Sequence, residues 1–129
     1  MVDKHNSIAG EKYVRLTTFT KDGRPKHTPV WIALLHDGEL GTTTDDDSWK
    51  VKRLRNTPKV ELTASDAKGK VKDGVESHPG SARIVGDQDE DYSSLETAFI
   101  NKYGIQYRLF RFIRKLRRKR PCGIIITLN

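Results

Sequence analysis

Two lysines and two arginines fall within six positions, at Lys50, Lys52, Arg53 and Arg55, directly after the run Thr42-Thr43-Thr44-Asp45-Asp46-Asp47-Ser48-Trp49. A helix starting near Trp49 presents unpaired backbone N–H groups at its positive end, and the hydroxyls of Thr44 and Ser48 can donate to an anion. Lys50 and Arg53 lie close together on such a helix. This is phosphate-binding architecture. The competing reading is a solvated basic helix face capped by Ser48. Three consecutive aspartates suit an anion pocket only if they point away from it.

Other catalytic arrangements find little support. His5, His27, His36 and His78 share no ligand or triad spacing, and each reads as a surface or turn residue. Cys122 is the single cysteine, so the chain holds no internal disulfide and no Cys/His metal spacing. No base accompanies Cys122 in sequence, and no paired-carboxylate or Ser-His-Asp pattern is present.

The elements that must position the basic segment are mainly strands. Tyr13 to Thr20 alternates and is rich in β-branched and aromatic residues, and Asp22-Gly23 supplies a hairpin turn. A second strand is expected from Lys26 to Leu35, its apolar run Val30 to Leu35 implying burial on both faces. After the turn His36-Asp37-Gly38, a third, Glu39 to Thr44, completes a meander. The short helix Trp49 to Arg55 ends at Asn56-Thr57-Pro58. Lys59 to Ala64 is a strand, and Val71 to Val75 and Ser81 to Val85 read as two more, broken at His78-Pro79-Gly80.

Past Gly86 the period becomes helical. Tyr92, Leu95, Ala98, Phe99 and Tyr103 share one face, between Asp87 or Asp89 and Gly104. Ile105, Leu109, Phe112, Ile113 and Leu116 form an apolar stripe on a further helix, with arginines opposite, and the stripe is expected to cover the body of the domain. Gly123 to Leu128 is an apolar strand expected inside the sheet. A sheet of six or seven strands in so short a chain would curl into a small barrel to remove its edges.

The segments KYVRLTTFTKDGRPKHTPVWI, TTTDDDSWKVKRLRNTPKVEL, SDAKGKV and SARIV, then KYG before an arginine-rich helix, carry a resemblance over about residues 8 to 128. The chain resembles the pyridoxamine-phosphate-oxidase-like split-barrel superfamily, and more narrowly the actinobacterial flavin/deazaflavin (coenzyme F420)-dependent oxidoreductases. The resemblance implies one domain over residues 1–129, a six-stranded antiparallel split β-barrel of Greek-key type with a few helices. It also implies a homodimer with cofactor grooves between protomers. By family pattern, Thr28, Pro29, Val30 and Trp31 would flank an isoalloxazine-type ring, and Thr43, Thr44, Ser48, Lys50, Lys52 and Arg53 would hold the phosphate. His27 then precedes the ring-contacting strand end, where an imidazole could reach substrate. Without the motif, Trp31 reads as core; Trp49 reads as packing.

The implied function is hydride transfer between a bound deazaflavin (coenzyme F420) or FMN and a small organic substrate, chemistry that needs no catalytic side-chain constellation because the cofactor supplies it. A non-catalytic flavin- or tetrapyrrole-binding stress or storage protein is the alternative. Pyridoxamine-phosphate oxidase activity itself is not implied, since the chain is short and lacks the matching C-terminal substrate motif. Gly41-Thr42-Thr43 replaces larger residues common in relatives.

Charge sharpens the choice of cofactor. The net charge is +7, yet residues 1–96 sum to −2, and residues 97–129 carry nine Lys and Arg and no carboxylate. An arginine-rich helix offers a counter-surface to a carboxylate tail, which favours deazaflavin over FMN. Nucleic-acid binding is disfavoured because stacking aromatics are scarce and no helix-turn-helix is apparent. Membrane attachment is disfavoured while the apolar stripe is needed to cover the domain. No apolar run approaches the ~20 residues of a membrane span, and the first fifteen residues hold no apolar stretch. A cytoplasmic protein without a metal centre is expected.

Overall fold

Along β1 (Tyr13–Phe19) the period of two buries Val14 and Leu16 on one side and leaves Tyr13 and Arg15 partly exposed on the other. The computed structural model describes residues 4–35 and 38–129. It adds six strands to β1: β2 (Pro25–Val30), β3 (Ala33–Leu34), β4 (Leu40–Asp45), β5 (Lys59–Ser65), β6 (Ser77–Gly86) and β7 (Pro121–Leu128). All seven join one antiparallel sheet in the order β2-β1-β5-β6-β7-β4-β3. His36 and Asp37 of the expected turn lie outside the described residues.

The edge strands β2 and β3 are consecutive in the chain and separated only by Trp31 and Ile32, so the sheet curls until its two edges approach. This closure divides the expected second strand between the two edges, giving seven strands where the resemblance implies six. The segment Lys26 to Leu35 is not one strand: Val30 pairs with Val14 of β1, whereas Ala33 pairs with Gly41 of β4. The expected meander is corrected in the same way, because β4 lies beside β7 and not beside β2. An apolar run records burial but not which neighbour supplies the hydrogen bonds.

The strand β7 does insert inside the sheet, between β6 and β4. Ile124 and Ile126 enter the barrel core with Val14, Leu16, Val60 and Leu62, while Ile125 joins a second core on the opposite face. That second core holds Tyr92, Leu95, Phe99 and Tyr103 of α3 (Glu90–Tyr103). Asp89 caps this helix by accepting from the Asp91 N–H at 2.8 Å, and Gly104 ends it at φ +61°.

The pair of short strands around His78-Pro79-Gly80 is corrected to the single strand β6, and Val71 to Val75 forms no strand. Pro79 gives up only its own donor, and its carbonyl accepts from the Asn129 N–H at 3.0 Å. Gly80 permits a close approach of β7: a Cβ there would meet the Thr127 carbonyl oxygen at 2.5 Å. Gly80→Ala should therefore cost about 2 kcal/mol or more of stability, read as a lower urea midpoint.

The largest departure concerns α4 (Ile105–Leu116). Its apolar stripe does not cover the domain: Ile105 is 82% and Leu116 67% exposed, whereas Tyr107 and Arg114 are buried. Tyr107 and Arg114 are two turns apart and share a side of the helix. Tyr107 stacks on Phe99 at 5.2 Å and donates to Glu96 Oε2 at 3.0 Å, and Arg114 reaches Asp45, so these contacts set the rotation of α4. Helical periodicity defines two faces but does not say which one has a partner waiting.

Candidate functional site

The strand β3 covers β4 only at Leu40 and Gly41, while β7 pairs with β4 as far as Asp45. From Thr42 to Asp45 the other edge of β4 therefore has no strand neighbour among the described residues, and this is the split in the barrel. A cavity of ≈ 260 Å³ opens there. Its walls come from Tyr13 of β1, Pro29 and Val30 at the end of β2, Trp31, Thr42 to Asp45 of β4, Lys50 of α2 (Trp49–Asn56), and Phe110 and Arg114 of α4.

One wall is held by an aromatic series. Trp31 stacks on Tyr103 at 4.5 Å, Tyr103 on Phe99 at 5.4 Å, and Phe99 on Tyr107. The Tyr103 hydroxyl donates to the Lys12 carbonyl at 2.7 Å and accepts from the Ile32 N–H at 3.0 Å, fixing the backbone beside Trp31. Burial pushes its phenol up to about 12, so it stays protonated. Lys102 Nζ also donates to the Ile32 carbonyl at 2.6 Å. The Trp31 wall is thus anchored from behind.

Another part of the lining is cationic. Arg114 is 6% exposed, and its Nη2 donates weakly to Thr43 Oγ1 at 3.5 Å. Its Nε lies 3.2 Å from Asp45 Oδ1 as an ion pair without a hydrogen bond, and Nη1 finds no partner among the described residues. The guanidinium also sits over the Phe110 ring at 4.6 Å. Burial pulls the Lys50 ammonium below its ordinary range; Arg53 adds to this and Asp45 partly offsets it. Of the three aspartates, only Asp45 lines the cavity. Asp47 pairs outward with Lys119 at 2.8 Å. Two cations against one carboxylate leave a positive, partly dry site whose unmet donors suit an anion.

The sequence-derived site residues divide accordingly. Pro29, Val30, Trp31, Thr43, Thr44 and Lys50 meet at the cavity. Thr28 sits opposite Leu16, further along β2. The Ser48 hydroxyl is committed as the α2 cap, accepting from the Val51 N–H at 3.4 Å. Lys52 lies over the Trp49 ring at 4.5 Å, and Arg53 Nε donates to Thr18 Oγ1 at 2.7 Å. The structure therefore does not bring Thr28, Ser48, Lys52 or Arg53 to the cavity. His27 Nδ1 shares a hydrogen bond with Thr17 Oγ1 at 2.8 Å and is also outside it. Burial pushes the Cys122 thiol up to about 11, which keeps it protonated and poorly nucleophilic.

Sequence alone does not point to Tyr13 or Phe110; it shows Thr42 and Asp45 only within the run before α2, and Arg114 only among the helix arginines expected to meet a carboxylate tail. Phe110 and Arg114 are four apart and off the apolar stripe of α4, the one signal that pairs them.

A split antiparallel barrel with a cationic cavity at its split defines the structural class. The chain belongs to the Pyridoxamine 5'-phosphate oxidase family, which matches residues 1–124. Among solved structures it is similar to the conserved hypothetical protein Rv2991 from Mycobacterium tuberculosis, at 22% identity and TM-score 0.70, covering 100% of this chain and 82% of that one. It is similar also to the heme storage protein HutZ from Vibrio cholerae, at 12% identity and TM-score 0.72, covering 96% of this chain and 87% of that one. An F420 reductase shares 16% identity at TM-score 0.62, over 100% of this chain and 96% of that one. These likenesses establish the fold. No curated protein matches the sequence.

Proposed function

We propose that the cavity holds the phosphate end of a flavin-type cofactor, either FMN or the deazaflavin coenzyme F420, and that the protein is an oxidoreductase acting on a small organic substrate. The observation that carries this reading is the buried Arg114 guanidinium, which reaches the cavity with donors unmet among the described residues. Lys50 and the hydroxyls of Thr43 and Thr44 complete a donor set for a phosphate. Pro29, Val30 and Trp31 would flank the ring. When bound, the cofactor supplies the hydride chemistry. The protein's own residues bind the anion, orient the ring against the anchored Trp31 wall and exclude water from it.

The deazaflavin is the preferred cofactor. Beyond Arg114 a second cavity of ≈ 670 Å³ is lined by Arg108, Arg111, Lys115 and Lys119 against Asp87 and Glu96. With Arg111 paired to Glu96 and Lys119 to Asp47, Arg108 and Lys115 are the counter-surface it offers a carboxylate tail, which FMN lacks. Its affinity should exceed that of FMN at low salt, and the margin should shrink as salt rises. Heme is the weaker fit, because no histidine lines the cavity among the described residues. A homodimer belongs to the same reading, and sedimentation should give about twice the 14.7 kDa chain mass.

Lys50→Ala tests the phosphate assignment. Loss of one charge-assisted contact should weaken flavin binding roughly ten- to hundredfold, with little change in the unfolding of the cofactor-free protein. In the wild type, affinity should fall on raising the pH before an ordinary lysine would titrate. Phosphate binds the protonated ammonium, and the Lys50 pKa lies below its usual 10.5. Fluorescence titrations across alkaline pH check both, and unaltered affinity in Lys50→Ala would return this lysine to the solvated face.

A further inference from the structure

The crest of α4 is an exposed apolar ridge. Ile105, Leu109, Phe112 and Leu116 are all more than half exposed, while Tyr107 and Arg114 hold the opposite side of the same helix. Four of the cations beside the ridge are not consumed within the fold. Lys119 pairs with Asp47, Arg120 with Asp87 and Arg111 with Glu96, but Arg108, Lys115, Arg117 and Arg118 have no ion pair among the described residues. Arg118, at φ +57°, ends the helix and turns the chain back toward Asp47 and Asp87, leaving Arg117 and Arg118 at its tip.

We propose that this crest docks the protein on an anionic phospholipid bilayer. A convex helix with Leu, Ile and Phe outward and Arg and Lys at its flank matches a segment lying in the headgroup plane, its apolar side entering the acyl boundary. Charge complementarity selects this occupant. A second copy packed crest to crest about a twofold axis would bring Arg108, Lys115, Arg117 and Arg118 of both copies together, and the carboxylates beside α4, Glu96, Asp47 and Asp87, are already paired with Arg111, Lys119 and Arg120. A nucleic acid would neutralise the cations but leave the ridge in water. Phe112, Arg108 and Lys115 also line the second cavity, so the proposal shares them with the deazaflavin reading. Ile105, Leu109, Leu116, Arg117 and Arg118 line neither cavity, and the vesicle assay uses no cofactor, so the two readings fail separately.

The test is co-sedimentation of the full chain with vesicles of phosphatidylcholine alone and of phosphatidylcholine mixed with phosphatidylserine. Wild type should pellet with the mixed vesicles at low salt and not with the neutral ones. The variant Leu109→Ser/Phe112→Ser/Leu116→Ser should lose more than tenfold in vesicle affinity while keeping its urea midpoint, since all three side chains are exposed. Arg117→Gln/Arg118→Gln should lose about fivefold per charge. Failure of wild type to bind mixed vesicles, or equal binding by the serine variant, would overturn the proposal. A serine variant that turns from dimer to monomer while wild type ignores vesicles would overturn it by assigning the crest to a subunit interface.

Discussion

Replacing Arg114 by methionine is expected to weaken flavin binding about a hundredfold while leaving the cofactor-free protein folded. Charge-assisted hydrogen bonds contribute about 1.5–3 kcal/mol each, and about 2.7 kcal/mol is a hundredfold in affinity. In the free protein the guanidinium is buried with its Nη1 unsatisfied among the described residues, so its desolvation is poorly offset. Methionine keeps the bulk and contact with Phe110 without that cost. Asp45, whose side chain is 34% exposed, can turn to water once its partner is gone. Titration with FMN and with the deazaflavin coenzyme, beside urea denaturation of the free protein, separates the two effects. Wild-type affinity in Arg114→Met would remove this residue from the site.

The second large effect is on stability. Phe99 is 1% exposed and lies between Tyr103 and Tyr107 in the aromatic series behind the cavity. Phe99→Ala should cost about 3–5 kcal/mol, through lost burial and the void left where α3 meets the sheet. That corresponds to a fall in Tm on the order of 10–20 °C. Because Phe99 does not line the cavity, flavin affinity measured where the variant is still folded should fall by less than about tenfold, one step of roughly 1.4 kcal/mol. Differential scanning calorimetry and a titration at low temperature measure both quantities.

The parts of this fold legible in sequence are those in which a side-chain pattern has one structural meaning. Ile124 to Ile126 is apolar at every position, and the strand proves buried on both faces. Ser48 and Asp89 precede helices and cap them, and Gly104 takes the positive φ that ends α3. Where a pattern has two meanings, the reading fails. Lys26 to Leu35 gives no sign that its hydrogen bonds change partner at Trp31, because closure of the sheet is a property of all its strands. Pro79 and Gly80 look like a break, yet Gly80 marks a tight approach of β7.

The cavity divides on the same principle. Thr43, Thr44 and Lys50 are visible as the end of a strand followed by a capped basic helix. Arg114 is visible only as one of the helix arginines offered to a carboxylate tail, because the stripe of α4 suggested that they face away from the barrel and not into the phosphate cavity. Only the docking of Tyr107 against Phe99 turns Arg114 inward. The run of three aspartates is likewise ambiguous until Asp47 is seen to pair with Lys119, leaving Asp45 alone at the site.

The chain has two tryptophans, Trp31 at the cavity and Trp49 on α2, 71% exposed. In Trp49→Phe the remaining indole emission reports on the cavity wall alone. Adding FMN or the deazaflavin coenzyme should quench Trp31 saturably, with one cofactor bound per chain, and the same titration in the Arg114→Met background should need about a hundredfold more cofactor. Trp31 emission that stays constant while the cofactor's own absorbance shows it bound, or the absence of any binding, would contradict a flavin-type cofactor at the split.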